Sequence, residues 1–142
     1  TNPHMKFIIR LALETAMRRS DVANIKKEHV KGNLLIIPVA KTKPRTIPLT
    51  PKAVQLLQEN LPIKMSSNAI RLSWKRISKK HGIEDAHFHD LRHESLSTMF
   101  EVKSLNVPEV QLISGHTDPR VLMRVYANLR PKDLAEKLAK ME

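Results

Sequence analysis

Residues 89–126 read HDLRHESLSTMFEVKSLNVPEVQLISGHTDPRVLMRVY. They set His89 and Arg92 three apart, follow with Gly115-His116, and place a tyrosine ten residues after that second histidine. The apolar spacing predicts helices over 89–102, 108–113 and 119–128. Pro108 and Pro119 stand at first helical positions, where a missing N–H costs nothing, and Asp118 is a better capping residue than Val107. His89 and Arg92, at i and i+3, project from one face near a helix N-terminus, where unpaired N–H groups and the helix dipole favour an anion. Gly115 stops a helix and leaves His116 at a loop edge. An arginine can neutralise the non-bridging oxygens of a phosphodiester, two imidazoles can hydrogen-bond or move protons, and a phenol can attack. The chain has a single tyrosine, so a phenol that does chemistry here must be Tyr126. Taken singly each feature is common: a surface pair at H-x-x-R, an exposed loop histidine, and a half-buried aromatic among Leu122, Met123 and Val125.

Upstream of this run the pattern is again mostly helical. Residues 6–18 carry Phe7, Ile8, Leu11, Leu13 and Met17 on a helical spacing, which predicts a buried helix. Ser20-Asp21 is expected to cap a second, short helix holding Val22 and Ile25. From residue 28 to 50 the character changes: Lys31-Gly32-Asn33 reads as a turn, Leu34 to Val39 as a strand, Lys41 to Arg45 as a turn, and Thr46 to Leu49 as a strand. Thr50-Pro51 opens another helix. Residues 67–81 form an amphipathic helix with Ile70, Trp74 and Ile77 inward, ended by Gly82. Its other faces carry Arg71, Lys75, Arg76, Lys79 and Lys80, either a solvated surface or a face turned to a polyanion. After Pro131, Leu134 and Leu138 sit four apart in a final short helix. The predicted fold is mainly α, of the α+β kind, with a small antiparallel sheet of two or three strands.

At 142 residues the chain can bury one sizeable core. Only 4% of residues are aromatic, so that core is expected to be aliphatic, with Trp74, Phe7, Phe88 and Phe100 as isolated large side chains. No run of about 18 apolar residues predicts a membrane span, and no secretory signal is evident. The absence of cysteine removes disulfides and thiolate metal sites and fits a reducing, cytoplasmic compartment. Residues 1–5, TNPHM, read as a cloning remnant outside the fold. Twenty-five Lys and Arg against fourteen Asp and Glu leave a formal charge of +11, which favours a nucleic-acid partner over an inert basic surface. Few aromatics argue against base stacking on a single strand, so duplex backbone contact fits better.

Two further cations complete the pattern. Arg18, in TAMRRSDV, lies between two predicted helices, with Asp21 three residues on to hold it. Lys41, in AKTKPR, lies at a hairpin tip, where a flexible ammonium can protonate a leaving alkoxide. In order, the chain presents Arg18, a hairpin lysine, H-x-x-R, Gly-His and Tyr. That order resembles the catalytic domain of the tyrosine recombinases, the phage integrase family, over about residues 6–138. TAMRRSD is similar to the family's T-G-hydrophobic-R-x-x-E, HDLRH to its second arginine motif, LISGHTDPRVLMRVY to its histidine and tyrosine motif, and AKTKPRTIPL to its lysine hairpin. Ala16, Asp21 and Ser114 depart from the usual glycine, glutamate and apolar residue.

The resemblance implies a catalytic domain over 6–142 that cleaves and rejoins duplex DNA through a 3′-phosphotyrosyl link, without cofactor or metal. The implied catalytic set is Arg18, Lys41, His89, Arg92, His116 and Tyr126, with Lys43 a rival to Lys41 and with Asp21 and His93 supporting. Arg19, Lys43, Arg45, Arg71, Lys75, Arg76 and Lys79 are the expected DNA contacts. The resemblance further implies a prokaryotic or phage protein at the nucleoid and an N-terminal DNA-clamping domain not contained in this chain. It also implies a homo-tetramer on two duplexes, with segment 131–142 docking in trans. Alternatives are a type IB topoisomerase, which shares the chemistry without exchanging strands, and a silent basic DNA-binding module. A metal-dependent nuclease fits least, for want of an acidic cluster of metal-ligand type.

Overall fold

The computed structural model describes residues 3–37, 44–83, 85–116, 118–129 and 131–141. Contacts divide the chain into two units, Thr1–Ser95 and Leu96–Glu142, with the boundary inside one helix.

The first unit opens with α1 (Pro3–Thr15). Met5, Ile8, Leu11, Ala12 and Thr15 recur on one helical face and are all buried. Residues 3–5, set aside in the sequence as a remnant, are therefore part of the fold: they form the first turn of α1, and Met5 is fully buried. The helix ends because Ala16 turns left-handed, with φ of 57°. The short α2 (Arg19–Ala23) follows. Ser20 and Asp21 lie inside α2 rather than capping it, and Arg18 holds the capping position without a side-chain cap bond. A 3-10 turn at Lys27–His29 leads into an antiparallel sheet of β1 (Val30–Lys31), β2 (Leu34–Ile37) and β3 (Arg45–Pro48), in that order. Gly32, with φ of 62°, makes the β1–β2 turn. Leu35 pairs with Ile47 and both are fully buried, so the inward face of the sheet is set by alternate residues. Val39, Lys41 and Lys43 of the expected hairpin lie outside the described residues.

Thr50 caps α3 (Pro51–Asn60) by accepting from the Ala53 N–H at 3.1 Å, and its hydroxyl donates to Glu14 of α1 at 2.7 Å. Ser66 caps α4 (Ser67–Lys80) in the same way, accepting from the Ala69 N–H at 3.1 Å. α1 packs against α3 and α4, and α2 against α4. The aromatic side chains are paired, not isolated. Trp74 meets Phe88 edge-on at 6.0 Å and donates its indole N–H to the Ala86 carbonyl at 3.1 Å, so its one polar atom is satisfied.

The boundary falls within α5 (His89–Glu101). In the second unit Leu96, Met99, Phe100, Val110 and Leu122 form the buried core. Asn106, not Val107, caps α6 (Val107–Ser114), in a reciprocal box with Glu109 whose two bonds are 2.9 Å each. Gly115, with φ of 75°, ends α6 left-handed. Asp118 accepts from the Arg120 backbone N–H at 3.0 Å and from its side-chain Nε at 2.8 Å, opening α7 (Arg120–Leu129). α8 (Pro131–Met141) packs on α7 and leaves Leu134, Leu138 and Met141 more than half exposed.

Candidate active site

In the first unit the turn after α1, the start of α2 and the start of α5 converge on a cleft of about 330 Å³. Arg18, Arg19, Ser67, Phe88, His89 and Arg92 line it. The left-handed turn at Ala16 builds one wall, because its carbonyl accepts from Arg92 Nη1 at 2.7 Å across 76 positions of sequence. Arg92 is 3% exposed. Burial first, then the like charges of Arg18 and Arg45, pull its guanidinium down to about 10, with Asp21 alone opposing. Arg92 therefore stays charged at neutral pH, with the guanidiniums of Arg18 and Arg45 acting against its charge and Asp21 in favour of it. Such a grouping of cations suits an anionic ligand.

Asp21 does not hold Arg18 as the sequence suggested. Its Oδ2 lies 3.4 Å from Arg45 Nη2, and the Nε of Arg45 is buried without a partner. Arg45 is pushed below its ordinary value, chiefly by burial. It is thus a half-buried neighbour of the cluster and not a solvated surface cation. Arg19 is likewise engaged, donating from Nε to Ser67 Oγ at 2.9 Å and tying α2 to α4.

His89 begins α5, three residues before Arg92. Although much of the residue is solvent-exposed, partial burial of its ring comes first in lowering its pKa. His93 and Arg92 follow, against a small opposing effect of Asp90. The rings of His89 and His93 meet edge-on at 5.3 Å. The neutral form of His89, which can accept a proton, is accordingly favoured.

In the second unit His116 follows the left-handed Gly115, and its Nδ1 lies 2.7 Å from Ser114 Oγ. Tyr126, half-buried on α7, meets Phe100 edge-on at 5.3 Å. Of the six expected catalytic residues, the structure gathers Arg18, His89 and Arg92 in one cleft of the first unit. It sets His116 and Tyr126 in the second, and Lys41 lies outside the described residues, as does its rival Lys43. Arg71, Lys75, Arg76 and Lys79 are exposed along α4, with Arg71 held by Asn68 at 2.9 Å. A larger cavity of about 520 Å³ is lined by Met5 and by residues of α4, among them Arg76 and Lys80. It gathers no imidazole, phenol or buried charge, so size does not mark the site here. Sequence reasoning missed the Ala16 carbonyl and the Ser67 and Ser114 hydroxyls. Only Ser67 had a local signal, in the Ser66-Ser67 pair that opens α4. No group of three or more His, Cys, Asp or Glu able to hold a metal occurs among the described residues, and none of their helices is long and apolar enough to cross a membrane.

Comparison with known proteins matches residues 2–133 to the phage integrase family. A shufflon-specific DNA recombinase of Escherichia coli is 38% identical over 141 residues, an alignment covering 92% of this chain and 36% of that protein. The chain thus spans little more than a third of that relative's length. Among solved structures, XerA recombinase aligns with a TM-score of 0.65 at 18% identity, over 100% of this chain and 64% of that one. A lambda integrase tetramer bound to a Holliday junction aligns with a TM-score of 0.70 at 20% identity, over 84% of this chain and 42% of that one. At these identities the likeness is one of fold.

Proposed function

The chain belongs to the phage integrase family, and from that premise we propose that it is the catalytic domain of a tyrosine site-specific recombinase acting on duplex DNA. The observation that carries the reading is the cleft of Arg18, His89 and Arg92. There two guanidiniums, one of them buried, stand with an imidazole whose neutral form is favoured, at the start of a helix.

In this reading the Tyr126 oxygen attacks a backbone phosphorus as the bond from phosphorus to the 5′-oxygen breaks. The products are a 3′-phosphotyrosyl ester and a 5′-hydroxyl. His89 accepts the phenolic proton, and Lys41 supplies one to the leaving 5′-oxygen, with Lys43 the other lysine able to do so. Arg18 and Arg92 neutralise the charge that grows on the non-bridging oxygens, a contribution on the order of 10²–10³ in rate for each preorganised donor. His116 hydrogen-bonds one of those oxygens. Attack by a 5′-hydroxyl reverses the sequence and rejoins a strand, so the ester bond energy is conserved and no nucleotide is consumed. The exposed cations of α4 serve as phosphate contacts. In the full-length protein four copies act on two duplexes at the nucleoid, and α8, with its exposed Leu134 and Leu138, docks on a neighbouring copy.

A nicked duplex that loses its 5′ fragment on cleavage traps the covalent species. The wild-type chain should form a protein–DNA adduct, and Tyr126→Phe should form none while binding DNA with nearly unchanged affinity. An adduct mapped by mass to any other residue would overturn the assignment.

A further inference from the structure

Ser114 is the last residue of α6 and is fully buried. A buried hydroxyl is retained where it is hydrogen-bonded. Here the left-handed Gly115 folds the chain back, so that two groups of His116 reach the same oxygen: Nδ1 at 2.7 Å and the backbone nitrogen at 3.4 Å. We infer that Ser114 is a positioning residue for His116, its hydroxyl donating to Nδ1 and holding the neutral ring with its proton on Nε2. The Ser114 oxygen accepts from the His116 backbone N–H and in this assignment gives its own hydrogen to Nδ1; the reverse pairing, Nδ1–H to its second lone pair, is the alternative that the tautomer measurement below detects. A neutral imidazole carries one ring proton, and the partner of one nitrogen decides what the other presents.

The use of the other ring nitrogen rests on the proposed reaction. A non-bridging phosphate oxygen only accepts hydrogen bonds. An Nε2–H therefore binds it, whereas a bare Nε2 lone pair would face it unfavourably. Ser114 would thus convert a histidine on a loop edge into a fixed donor of one orientation. This is a device of this chain in particular, because the residue before the Gly-His pair is apolar in the pattern that the sequence resembles.

The ring nitrogens of His116, observed by NMR in the 15N-labelled chain without DNA at pH 8 and assigned with His116→Ala, should show a single tautomer protonated at Nε2. In Ser114→Ala, which removes one oxygen, the two tautomers should mix. The same variant should cleave the nicked duplex about tenfold more slowly at unchanged DNA affinity, the loss of one net hydrogen bond. On a His116→Ala background it should add no further slowing. Protonation at Nδ1 in the wild-type chain would overturn the inference whatever the variant does. So would a Ser114→Ala protein that keeps the single Nε2–H tautomer, or one that slows His116→Ala by the same tenfold. Should the tautomer respond to Ser114 while His116→Ala cleaves normally, the pairing stands and the role given to His116 in the reaction fails.

Discussion

Arg92→Met should leave the folded chain close to the wild type in stability, while nearly abolishing cleavage. Arg92 is 3% exposed, and burial with two neighbouring guanidiniums brings its pKa down to about 10. That displacement corresponds to about 3 kcal/mol against the charged form relative to water. In return the guanidinium gives a 2.7 Å hydrogen bond to the Ala16 carbonyl. Removing the donor costs about 1–3 kcal/mol if that carbonyl loses its partner. Met occupies comparable volume without a charge to desolvate, so relief of that cost and loss of the guanidinium's interactions oppose one another, and the net change should be small. For a chain of 142 residues each 1 kcal/mol is worth roughly 3 °C in midpoint. Differential scanning calorimetry at low salt measures it. A second arm adds sulfate, which should raise the wild-type midpoint by occupying the cation cluster and move Arg92→Met much less. The variant should meanwhile lose about 10²–10³ in single-turnover cleavage. A variant that melts more than about 5 °C below wild type would refute the reasoning, because Arg92 would then be a net structural support and not a charge held ready for a ligand.

Cleavage should persist below the ordinary imidazole range, because the neutral form of His89 is favoured. His93→Gln removes the largest like-charged contribution to that shift and should move the acid limb of the pH–rate profile upward. An unmoved limb would place the essential base elsewhere. The same depression carries a stability sign: the unfolded chain binds a proton more readily, so the His89 contribution is complete above about pH 6.5 and declines as pH falls through the folded value. DNA binding should weaken with salt, each phosphate contact adding about −0.9 to the slope of log affinity against log salt. Lys75→Gln with Lys79→Gln should reduce that slope by roughly two contacts, and an unchanged slope would assign the α4 face to solvent. Ending the chain before Pro131 should preserve folding and DNA binding, since Leu134 and Leu138 are 54% and 57% exposed, but impair coordinated cleavage by assembled copies. Loss of the thermal transition would show that α8 belongs to its own core.

Local chemistry made much of the architecture legible. The Thr50-Pro51 cap, the Gly32 turn and the apolar stripe holding Ile70 each depend on residues within a turn or two of one another, so they can be read along the chain. The spacing of His89 and Arg92 placed both on α5 for the same reason. What escaped depended on distance or on backbone conformation. Asp21 had a basic residue three positions away, yet it pairs with Arg45, brought to it by the sheet from 24 positions on. Trp74 and Phe88 read as isolated because their contact is made by the loop that reverses the chain after Gly82. Ser114 read as a departure from an apolar position because nothing along the chain shows that Gly115 folds His116 back onto it. Nothing in the appearance of residues 3–5 marks them as part of a helix, and only packing shows Met5 at the base of α1.

The three departures from the family pattern bear differently on the site. Ala16 occupies a left-handed conformation, φ of 57°, that costs a non-glycine residue about 1–2 kcal/mol. Glycine is therefore the residue the turn itself asks for. Ala16 is nonetheless held there, because its side chain is fully buried, its N–H donates to the Ala12 carbonyl at 3.0 Å, and its own carbonyl receives Arg92. The turn that ends α1 thus orients both arginines of the cleft: it anchors Arg92 through a carbonyl and delivers Arg18 two residues later. Asp21 is shorter than glutamate, and its carboxylate reaches Arg45 only at 3.4 Å. Aspartate and glutamate carry the same charge, so this change shortens the reach of the carboxylate and leaves the charge balance of the cluster as it was. At Ser114 the change adds a hydroxyl where the pattern has none, and that hydroxyl meets the ring that follows. None of the three removes a reacting group. Each alters the backbone strain, the reach of a carboxylate or the hydrogen bonding beside a residue of the proposed site, so their effects should appear in how those side chains are held.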